Sequence, residues 1–457
     1  MDALIHEFRT AFVEIKGDRL AETLHPDVQA NAAKLQALWG RGNVRDVTAD
    51  LDFLFYSDPS RPRMSQKETA GWVEIYLSYW KAVGEILAVE GLRSDAKASS
   101  SSWTTVYEAW RDLTSLVIRG YTNHEFENWT IPCLYVAGKY LRLFAIQGDE
   151  ERRRTGGTED TDMTIMQDDF DPEQEENRLL EDCARHLNRV FQTCFNDRAP
   201  LEESRKWGIY YAINLLFKTH FRLNSTTLSK NVLRVVSAGR GDMPTIDRFP
   251  KSQQVTFKYY EGVLAFLDEN YVVAEQHLTA AWQMCHKDAK HNLELILTYL
   301  IPCHLLTTHT LPSSELLRPF PRLQQLFLPL SAAIKKADLR AFDIALREGE
   351  ADFIKRRIYL TLERGRDIAL RNLLRKVFIA GDFGEAKDGA TPARRSRIPV
   401  TEFAAAIKIS SGEEIDTDEV ECLIANMIYK NLMKGYIAHE AGIVVLSKTG
   451  AFPGTKV

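Results

Sequence analysis

Residues 257–282, FKYYEGVLAFLDENYVVAEQHLTAAW, contain two runs in which apolar side chains recur every three or four positions. This spacing predicts two amphipathic helices that are separated by about one turn of chain. The small residues Gly262, Ala274 and Ala281 stand where two packed helices must approach closely, and tyrosines supply the packing bulk. The segment therefore predicts an antiparallel pair of helices.

The same pattern continues over residues 177–390, and its helix pairs resemble tetratricopeptide units. Each pair exposes an apolar face, so stacked neighbours are needed to cover it, and such a stack forms an elongated right-handed superhelix. Strand-like alternation is nearly absent from these residues. We therefore expect an all-α fold built from helical repeats.

Two segments precede the repeats. Residues 1–147 show helical periodicity, most clearly over residues 72–87, and predict an N-terminal helical region. Residues 148–176 contain 12 Asp and Glu residues against three Arg, with few large apolar residues. Such a segment cannot bury enough apolar surface to offset its chain entropy. We expect an acidic, mobile insertion between two helices.

The pattern changes in residues 391–457. Apolar residues after Pro399 predict a short helix, and Asp418 followed by Glu421 has the spacing of a capping box at the start of a longer one. Residues 435–439 and 443–447 then alternate as the two strands of a β-hairpin. Short helix, longer helix and hairpin are the elements of a winged helix, a relative of the helix-turn-helix modules.

Composition excludes several classes of protein. The chain has 457 residues, of which 45% are hydrophobic and 26% charged, as in ordinary globular proteins. Its net charge is −5, so attraction to nucleic acid requires a local basic patch. No apolar run approaches the roughly 18 residues of a membrane span. Six scattered cysteines without a C-x-x-C pair predict reduced thiols in the cytosol or nucleus.

Motifs for catalysis are missing. The chain contains no P-loop, G-x-S-x-G, H-E-x-x-H or G-x-G-x-x-G sequence. His286 and His291 are five residues apart, as are His304 and His309, which places each pair on different faces of a helix. Packed or surface histidines explain these pairs better than a metal site. We expect no catalytic residues, no cofactor and no metal.

Helix pairs that end in a winged helix are the architecture of PCI proteins, named for the proteasome lid, the COP signalosome and eukaryotic initiation factor three. Between about Asn128 and Pro453 the chain also resembles one branch of that family in its ordered motifs. These motifs are KWG (206–208), NLLFK (214–218), FRLN (221–224), QVTFKYY (254–260), RNL (371–373), IANMIY (424–429) and KGYIAH (434–439). The branch contains signalosome-associated subunit twelve and the PCI subunit of the TREX-type messenger-RNA export complex. Residues 79–87, YWKAVGEIL, resemble the fungal subunit-twelve homologues.

The resemblance implies a scaffold subunit of the nucleus, with the cytoplasm as a second compartment. Members of the branch pair with a second PCI protein of the Sac/GANP type and with the small acidic proteasome-lid peptide. They act in transcription elongation and in messenger-RNA maturation and export, and their paired winged helices form a nucleic-acid-binding platform. Two alternatives stay open: the export-complex subunit, and a purely structural subunit without nucleic-acid contact.

A basic strip adjoins the predicted winged helix. Between Lys355 and Arg397 there are 12 Lys and Arg residues against five Asp and Glu, a local net charge of +7. A solvated residue or a local ion pair explains any single cation, but the strip as a whole indicates an acidic partner. That partner is either the phosphates of a nucleic acid or the small acidic peptide. The cations from helical stretches that we predict to bind it are Lys355, Arg356, Arg357, Arg364, Arg366, Arg371, Arg375 and Lys376.

A second set of cations surrounds the predicted hairpin and the loop before the winged helix. We predict that this set binds RNA or DNA: Arg394, Arg395, Arg397, Lys430, Lys434, His439 and Lys448. The loop sequence RRSR (394–397) is also compatible with a nuclear-import or phosphorylation site, but so short a motif carries little information.

The residues of the longer helix indicate that the module does not recognise a specific base sequence. No Arg or Gln stands in position to read guanine or adenine. The N-terminal end of the helix instead carries four acidic residues that repel phosphates: Asp416, Asp418, Glu419 and Glu421. We therefore predict non-specific binding to the nucleic-acid backbone with strong salt dependence. Tyr436 either stacks on single strands or belongs to the core, the commoner role of a hairpin tyrosine.

The hairpin also predicts a protein interface. Val444, Val445 and Leu446 are consecutive apolar residues, more than a small wing is expected to bury alone. Packing against the winged helix of a PCI partner would cover them.

Overall fold

The computed structural model describes residues 2–40, 43–92, 101–155, 177–381 and 395–455. Over these residues the chain is predominantly helical and ends in a small antiparallel sheet. The predicted fold class, helix pairs followed by a winged-helix module, is confirmed. The chain divides into two compact units, Met1–Phe257 and Lys258–Val457. Within the described ranges, every helix is too short or too polar to span a bilayer.

The first unit extends beyond the predicted N-terminal region and includes the first helices of the predicted repeats. Its described helices are α1 Asp2–Val13, α2 Gly17–Glu22, α3 Val28–Trp39, α4 Val44–Asp52, α5 Gln66–Val89, α6 Trp103–Asn123, α7 Pro132–Thr155, α8 Arg178–Phe195, α9 Ile209–Arg222 and α10 Thr226–Ala238. Helix α11, Lys251–Leu267, contains the division between the two units.

Aromatic side chains form much of the core of the first unit. Helices α5, α6 and α7 pack on one another in chain order, and Trp72 and Trp110 are fully buried. Trp72 stacks on Phe126 with ring centroids 4.4 Å apart, and the indole N–H of Trp110 donates to the carbonyl of Ala137 at 2.9 Å. Burial of one such ring contributes about 2–3 kcal/mol, so these residues hold the unit together.

The predicted acidic insertion begins too early, because helix α7 continues to Thr155. Asp149 is buried and accepts hydrogen bonds from the backbone N–H groups of Leu179 at 3.1 Å and Leu180 at 2.9 Å. It thereby satisfies free N–H groups at the start of helix α8. Glu150 forms an ion pair with Arg222 at 2.7 Å. Residues 148–155 are therefore packed helix, and residues 156–176 lie outside the described residues.

The second unit carries the remaining repeats and the winged-helix module. Its described helices after α11 are α12 Tyr271–Met284, α13 Lys290–Thr307, α14 Ser314–Leu317, α15 Pro321–Lys336, α16 Leu339–Glu348, α17 Glu350–Lys355, α18 Tyr359–Glu363, α19 Gly365–Ala380, α20 Val400–Ser411 and α21 Thr417–Tyr429. Its strands are β1 Arg397–Pro399, β2 Gly435–Ala438 and β3 Ile443–Leu446.

The helix pair predicted from residues 257–282 is confirmed as the second half of α11 followed by α12. Asn270 caps α12, because its side-chain oxygen accepts a hydrogen bond from the Val273 N–H at 3.3 Å. A Cβ atom added to Gly262 would lie 2.6 Å from Cγ of Leu278, so only glycine allows the two helices to approach this closely. Ala274 and Ala281 are fully buried.

The sheet contains one strand that the sequence did not predict. Its order is β1-β3-β2, and all pairs are antiparallel. Residues 394–397 were expected to lie in a loop before the module, but Arg397 begins β1, which pairs with β3 and makes the hairpin into a three-stranded sheet. Helix α19 packs on α15, α16 and α20, so a helix that precedes residue 391 also contacts the module.

Candidate nucleic-acid interface

The inner face of the sheet is the core of the winged-helix module. Ile398, Val444 and Leu446 are buried, with Val444 0% and Leu446 3% exposed. The prediction that Val444, Val445 and Leu446 together form a partner interface is wrong for Val444 and Leu446. Three strands and two helices bury more apolar surface than the predicted two-stranded wing. Val445 alone points to the opposite face, because alternate residues of a strand do so.

The outer face of the sheet presents a row of three side chains across its strands. Val445 on the central strand lies directly opposite Arg397 on one side and Tyr436 on the other. Residues that are directly opposite in antiparallel strands share a face of the sheet. Tyr436 is 61% exposed, Arg397 is exposed and Val445 is half-buried. The structure thus places Tyr436 on the surface rather than in the core.

Two exposed lysines lie near one end of the sheet, beyond the row itself. Lys434 directly precedes β2, and its carbonyl accepts a hydrogen bond from the Ser447 N–H at 2.9 Å, which continues the β2–β3 ladder. Lys448 follows Ser447, two residues beyond the end of β3. Both side chains are exposed, and neither they nor Arg397 forms an ion pair with any described residue. We call Arg397, Lys434, Tyr436, Val445 and Lys448 the sheet-face cluster.

The other predicted nucleic-acid ligands are already engaged. Arg395 forms an ion pair with Glu402, and Lys430 forms one with Asp367 at 2.6 Å. These charges are partly neutralised within the protein, which weakens their attraction for phosphate. Arg394 lies outside the described residues.

His439 is engaged in a different way. Its Nδ1 lies 2.7 Å from a carboxylate oxygen of Glu421. The hydrogen bond and charge of Glu421 raise the pKa of His439 above its ordinary value. His439 therefore carries more positive charge near neutral pH than a free histidine, but that charge faces a carboxylate.

Helix α21 occupies the position of a recognition helix, and its N-terminus is acidic as predicted. The capping residue, however, is Asp416 and not Asp418. A carboxylate oxygen of Asp416 accepts the Glu419 N–H at 2.8 Å, and Glu419 accepts the Asp416 N–H at 3.3 Å. Asp418 and Glu419 are exposed, so they repel phosphates from this end of the helix.

The predicted basic strip over residues 355–376 does not form a continuous free surface. Arg364 forms an ion pair with Glu269 at 2.8 Å. Arg366 donates to both carboxylate oxygens of Asp343, from Nε at 2.9 Å and from Nη2 at 3.2 Å. Lys376 donates to the carbonyl of Lys336 at 2.6 Å. Each of these three residues thus has a local ion pair or hydrogen bond, and its predicted role in partner binding stays a prediction.

The rest of the strip is mixed. Arg371 is 5% exposed, so only a small group can reach its charge. Arg356 and Arg375 are half-buried. Lys355 and Arg357 are exposed at the end of α17, where Arg357 adopts a left-handed backbone conformation with φ of 57°.

One exposed aromatic residue was missed. Tyr429 on α21 is 90% exposed, more than any other large apolar side chain in the described ranges. Val420, Ile424 and Met427 define the buried side of the same helix, so the helical period alone places residue 429 on the solvent side.

The described residues contain no group of three or more His, Cys, Asp or Glu side chains placed to hold a metal ion. The histidines of the two predicted pairs have separate contacts. His286 lies near Asp288, His304 Nδ1 lies 3.1 Å from Glu275, and His309 contacts Arg371.

Residues 346–448 match the model of the PCI domain. A Neurospora crassa protein named CSN12 homolog is 61% identical over 459 residues, which covers 100% of both chains. The Schizosaccharomyces pombe protein of the same name is 39% identical over 92% of each chain. PCI domain-containing protein 2 of Danio rerio is 30% identical over 79% of this chain and 82% of its own.

The chain therefore belongs to the PCI-domain family, in the branch whose members include the CSN12 homologs and PCI domain-containing protein 2. The resemblance inferred from the sequence motifs is confirmed. Family membership points to a non-catalytic subunit that assembles with other PCI subunits.

Proposed function

We propose that the chain is a non-enzymatic scaffold subunit whose winged helix forms one half of a nucleic-acid-binding platform. The second half is a PCI protein of the Sac/GANP type, and the small acidic proteasome-lid peptide completes the assembly. The platform acts in the nucleus, in transcription elongation and messenger-RNA maturation. The subunit-twelve role is preferred to the export-complex role because the relatives named CSN12 homolog match the whole chain at higher identity.

The sheet-face cluster is the observation that carries this proposal. Arg397, Lys434 and Lys448 lack described acidic partners, whereas most other cations of the module have one. Tyr436 is exposed beside them and offers a ring on which a base can stack. Cations beside an exposed aromatic ring suit single-stranded RNA or DNA. The cations bind the phosphates and the ring stacks on a base, so binding has no sequence preference.

The acidic N-terminus of α21 also supports binding of the nucleic acid at the sheet rather than at this helix. Because Asp418 and Glu419 repel phosphates, a nucleic-acid strand that approaches the module is directed away from this helix end and toward the sheet. The sheet-face cluster is small, and three cations supply only weak binding at physiological salt. A partner that extends the surface is therefore needed for useful affinity.

The test is reversal of Arg397, Lys434 and Lys448 to Glu in the full chain, alone and co-purified with its partner. Binding of fluorescent single-stranded RNA is measured by anisotropy over a range of salt concentrations. We expect a loss of affinity of roughly tenfold to a hundredfold and a decrease of about 2 in the slope of log affinity against log salt, from three lost phosphate contacts. Assembly with the partner should not change.

The matched control reverses Arg45, Arg63 and Lys81 in the first unit, which are exposed cations without described ion pairs. This variant has the same net charge but should keep its RNA affinity. Equal affinity of the two variants would contradict the proposal and favour a purely structural subunit.

A further inference from the structure

Arg371 is a buried cation without a carboxylate partner in the described part of the chain. Its Nη1 lies 3.0 Å from Nδ1 of His309, and its Nη2 donates to the side-chain oxygen of Asn372 at 3.2 Å. Its Nε is buried and finds no hydrogen-bond partner among the described residues. A buried charge that lacks both a counter-ion and a complete set of hydrogen bonds is strongly destabilising.

A second arginine of the same kind lies one helical turn further along α19. Arg375 is half-buried, its Nε is also buried without a partner, and no described acidic residue pairs with it. Burial lowers the pKa of Arg371, and the charge of Arg375 lowers it further. Two like charges four residues apart on one helix face repel each other, so the pair needs an anion.

Among the described residues, the surroundings of the two arginines supply no such anion. Burial and the charge of Arg371 lower the pKa of His309, so its imidazole is neutral near pH 7 and its Nδ1 accepts from Arg371. The C-terminal segment at Gly454 lies close to both side chains. A Cβ atom added to Gly454 would be 3.7 Å from His309 Nδ1 and 3.9 Å from Arg371 Nη1. Phe452 anchors this segment on Phe378 of α19.

We propose that Arg371 and Arg375 together bind a phosphate-class oxyanion between α19, His309 and the segment around Gly454. Planar guanidinium groups match the spacing of phosphate oxygens and bind them in bidentate fashion. A phosphate offers enough acceptor oxygens for both guanidinium groups, including the unpartnered Nε atoms. Because Arg371 is 5% exposed, the site suits a small anion, either inorganic phosphate or a terminal phosphate of a nucleic acid. This site is separate from the sheet-face cluster and does not depend on the proposed function.

The test measures thermal unfolding of the full chain in inorganic phosphate and in chloride at equal ionic strength. Near-saturating phosphate should raise the Tm of the wild-type protein by about 2–4 °C, as expected for a ligand that binds only the folded state of a unit of this size. Arg375→Gln should abolish this rise while the protein still folds, because Arg375 is only half-buried.

Arg366→Gln is the matched control, because Arg366 lies on the same helix but is already paired with Asp343. It should lower the Tm in both buffers and keep the full phosphate-dependent rise. An equal rise in all three proteins, or none in the wild type, would overturn the proposal. A rise with a polyglutamate peptide but none with phosphate would assign the arginines to carboxylates and would also overturn it.

The source of the phosphate is resolved with one short RNA that carries either a 5′-phosphate or a 5′-hydroxyl. A Tm rise specific to the 5′-phosphorylated RNA, and lost in Arg375→Gln, supports a terminal phosphate as the ligand. Equal effects of the two RNAs, with the response to inorganic phosphate intact, support the free anion.

Discussion

The helical strip at residues 355–376 and the sheet-face cluster are both basic in sequence, but their charges face different surroundings. Arg364 contacts Glu269 in the turn between α11 and α12, and Arg366 contacts Asp343 on α16. The three cations of the sheet-face cluster have no described acid to contact, since the inner face of their sheet is apolar and the outer face is open.

This difference shows that the net charge of a segment does not tell how many of its charged side chains are available to a ligand. The strip contributes most of the +7 counted from the sequence, yet two of its eight cations, Arg364 and Arg366, form ion pairs with acidic residues from outside the strip. A cation on a short strand at the edge of a small module has few neighbours and stays available. Binding should therefore be sensitive to the sheet and stability should be sensitive to the strip.

The largest expected effect is on the free energy of unfolding, and it comes from substitutions on the two faces of the sheet. Val444→Asp places a charge in the core of the module and should cost about 4 kcal/mol or more in the free energy of unfolding. Val445→Asp, one residue further on, lies on the outer face and should cost less than about 1 kcal/mol. Urea denaturation of both variants measures the difference, and similar costs would mean that the faces are assigned wrongly.

The next effect concerns the two exposed tyrosines. Tyr436→Ala removes a stacking surface from the sheet-face cluster and should weaken binding of single-stranded RNA by about 1–3 kcal/mol. Tyr429→Ala removes a more exposed ring from α21, outside the cluster, and should leave the affinity nearly unchanged. Anisotropy titration at one salt concentration compares them, and a larger loss for Tyr429→Ala would move the binding surface to the helix.

A smaller effect is expected for the strip. Arg366→Gln breaks the two contacts with Asp343 and should reduce the free energy of unfolding by about 0.5–1 kcal/mol, the usual range for a partly exposed ion pair. Its RNA affinity should equal that of the wild type. Lys355→Gln, which removes an exposed charge that pairs with no described residue, should change neither quantity. A loss of RNA affinity in Arg366→Gln would restore the strip as a binding surface.

The smallest effect is a pH dependence at His439. The pKa of His439 is raised by Glu421, so the stabilisation from this pair is complete below about pH 6.5 and is lost as the pH rises through the higher folded-state value. RNA affinity should fall slightly over the same interval, because one positive charge near the sheet disappears. His439→Gln should flatten this part of the pH profile. An unchanged profile in that variant would show that His439 does not contribute.

The helices and the hairpin were predictable because their periodicity is local. Residues 257–282 specify both the helix pair and its close approach at Gly262. Strand β1 was missed since it is three residues long, too short for alternation to be recognised. The capping residue of α21 was misplaced because Asp416–Glu419 and Asp418–Glu421 share one spacing, and backbone geometry selects the first.

The candidate site was predicted less completely, because ion pairing depends on residues that are distant in sequence. Arg364 and its partner Glu269 are 95 residues apart, and Lys430 and Asp367 are 63 apart. No local pattern identifies such partners. The row formed by Arg397, Val445 and Tyr436 likewise required the register of β1, which the sequence alone did not reveal.

Photocrosslinking tests the central claim most directly. RNA that contains 4-thiouridine is bound to the full chain with its co-purified partner, irradiated and digested, and the crosslinked peptides are identified by mass spectrometry. We predict crosslinks in the peptides that contain Lys434–Tyr436 and Arg397, which are lost when Arg397, Lys434 and Lys448 are reversed to Glu. Crosslinks confined to α21 or to residues 355–376, or found only on the partner, would contradict the account.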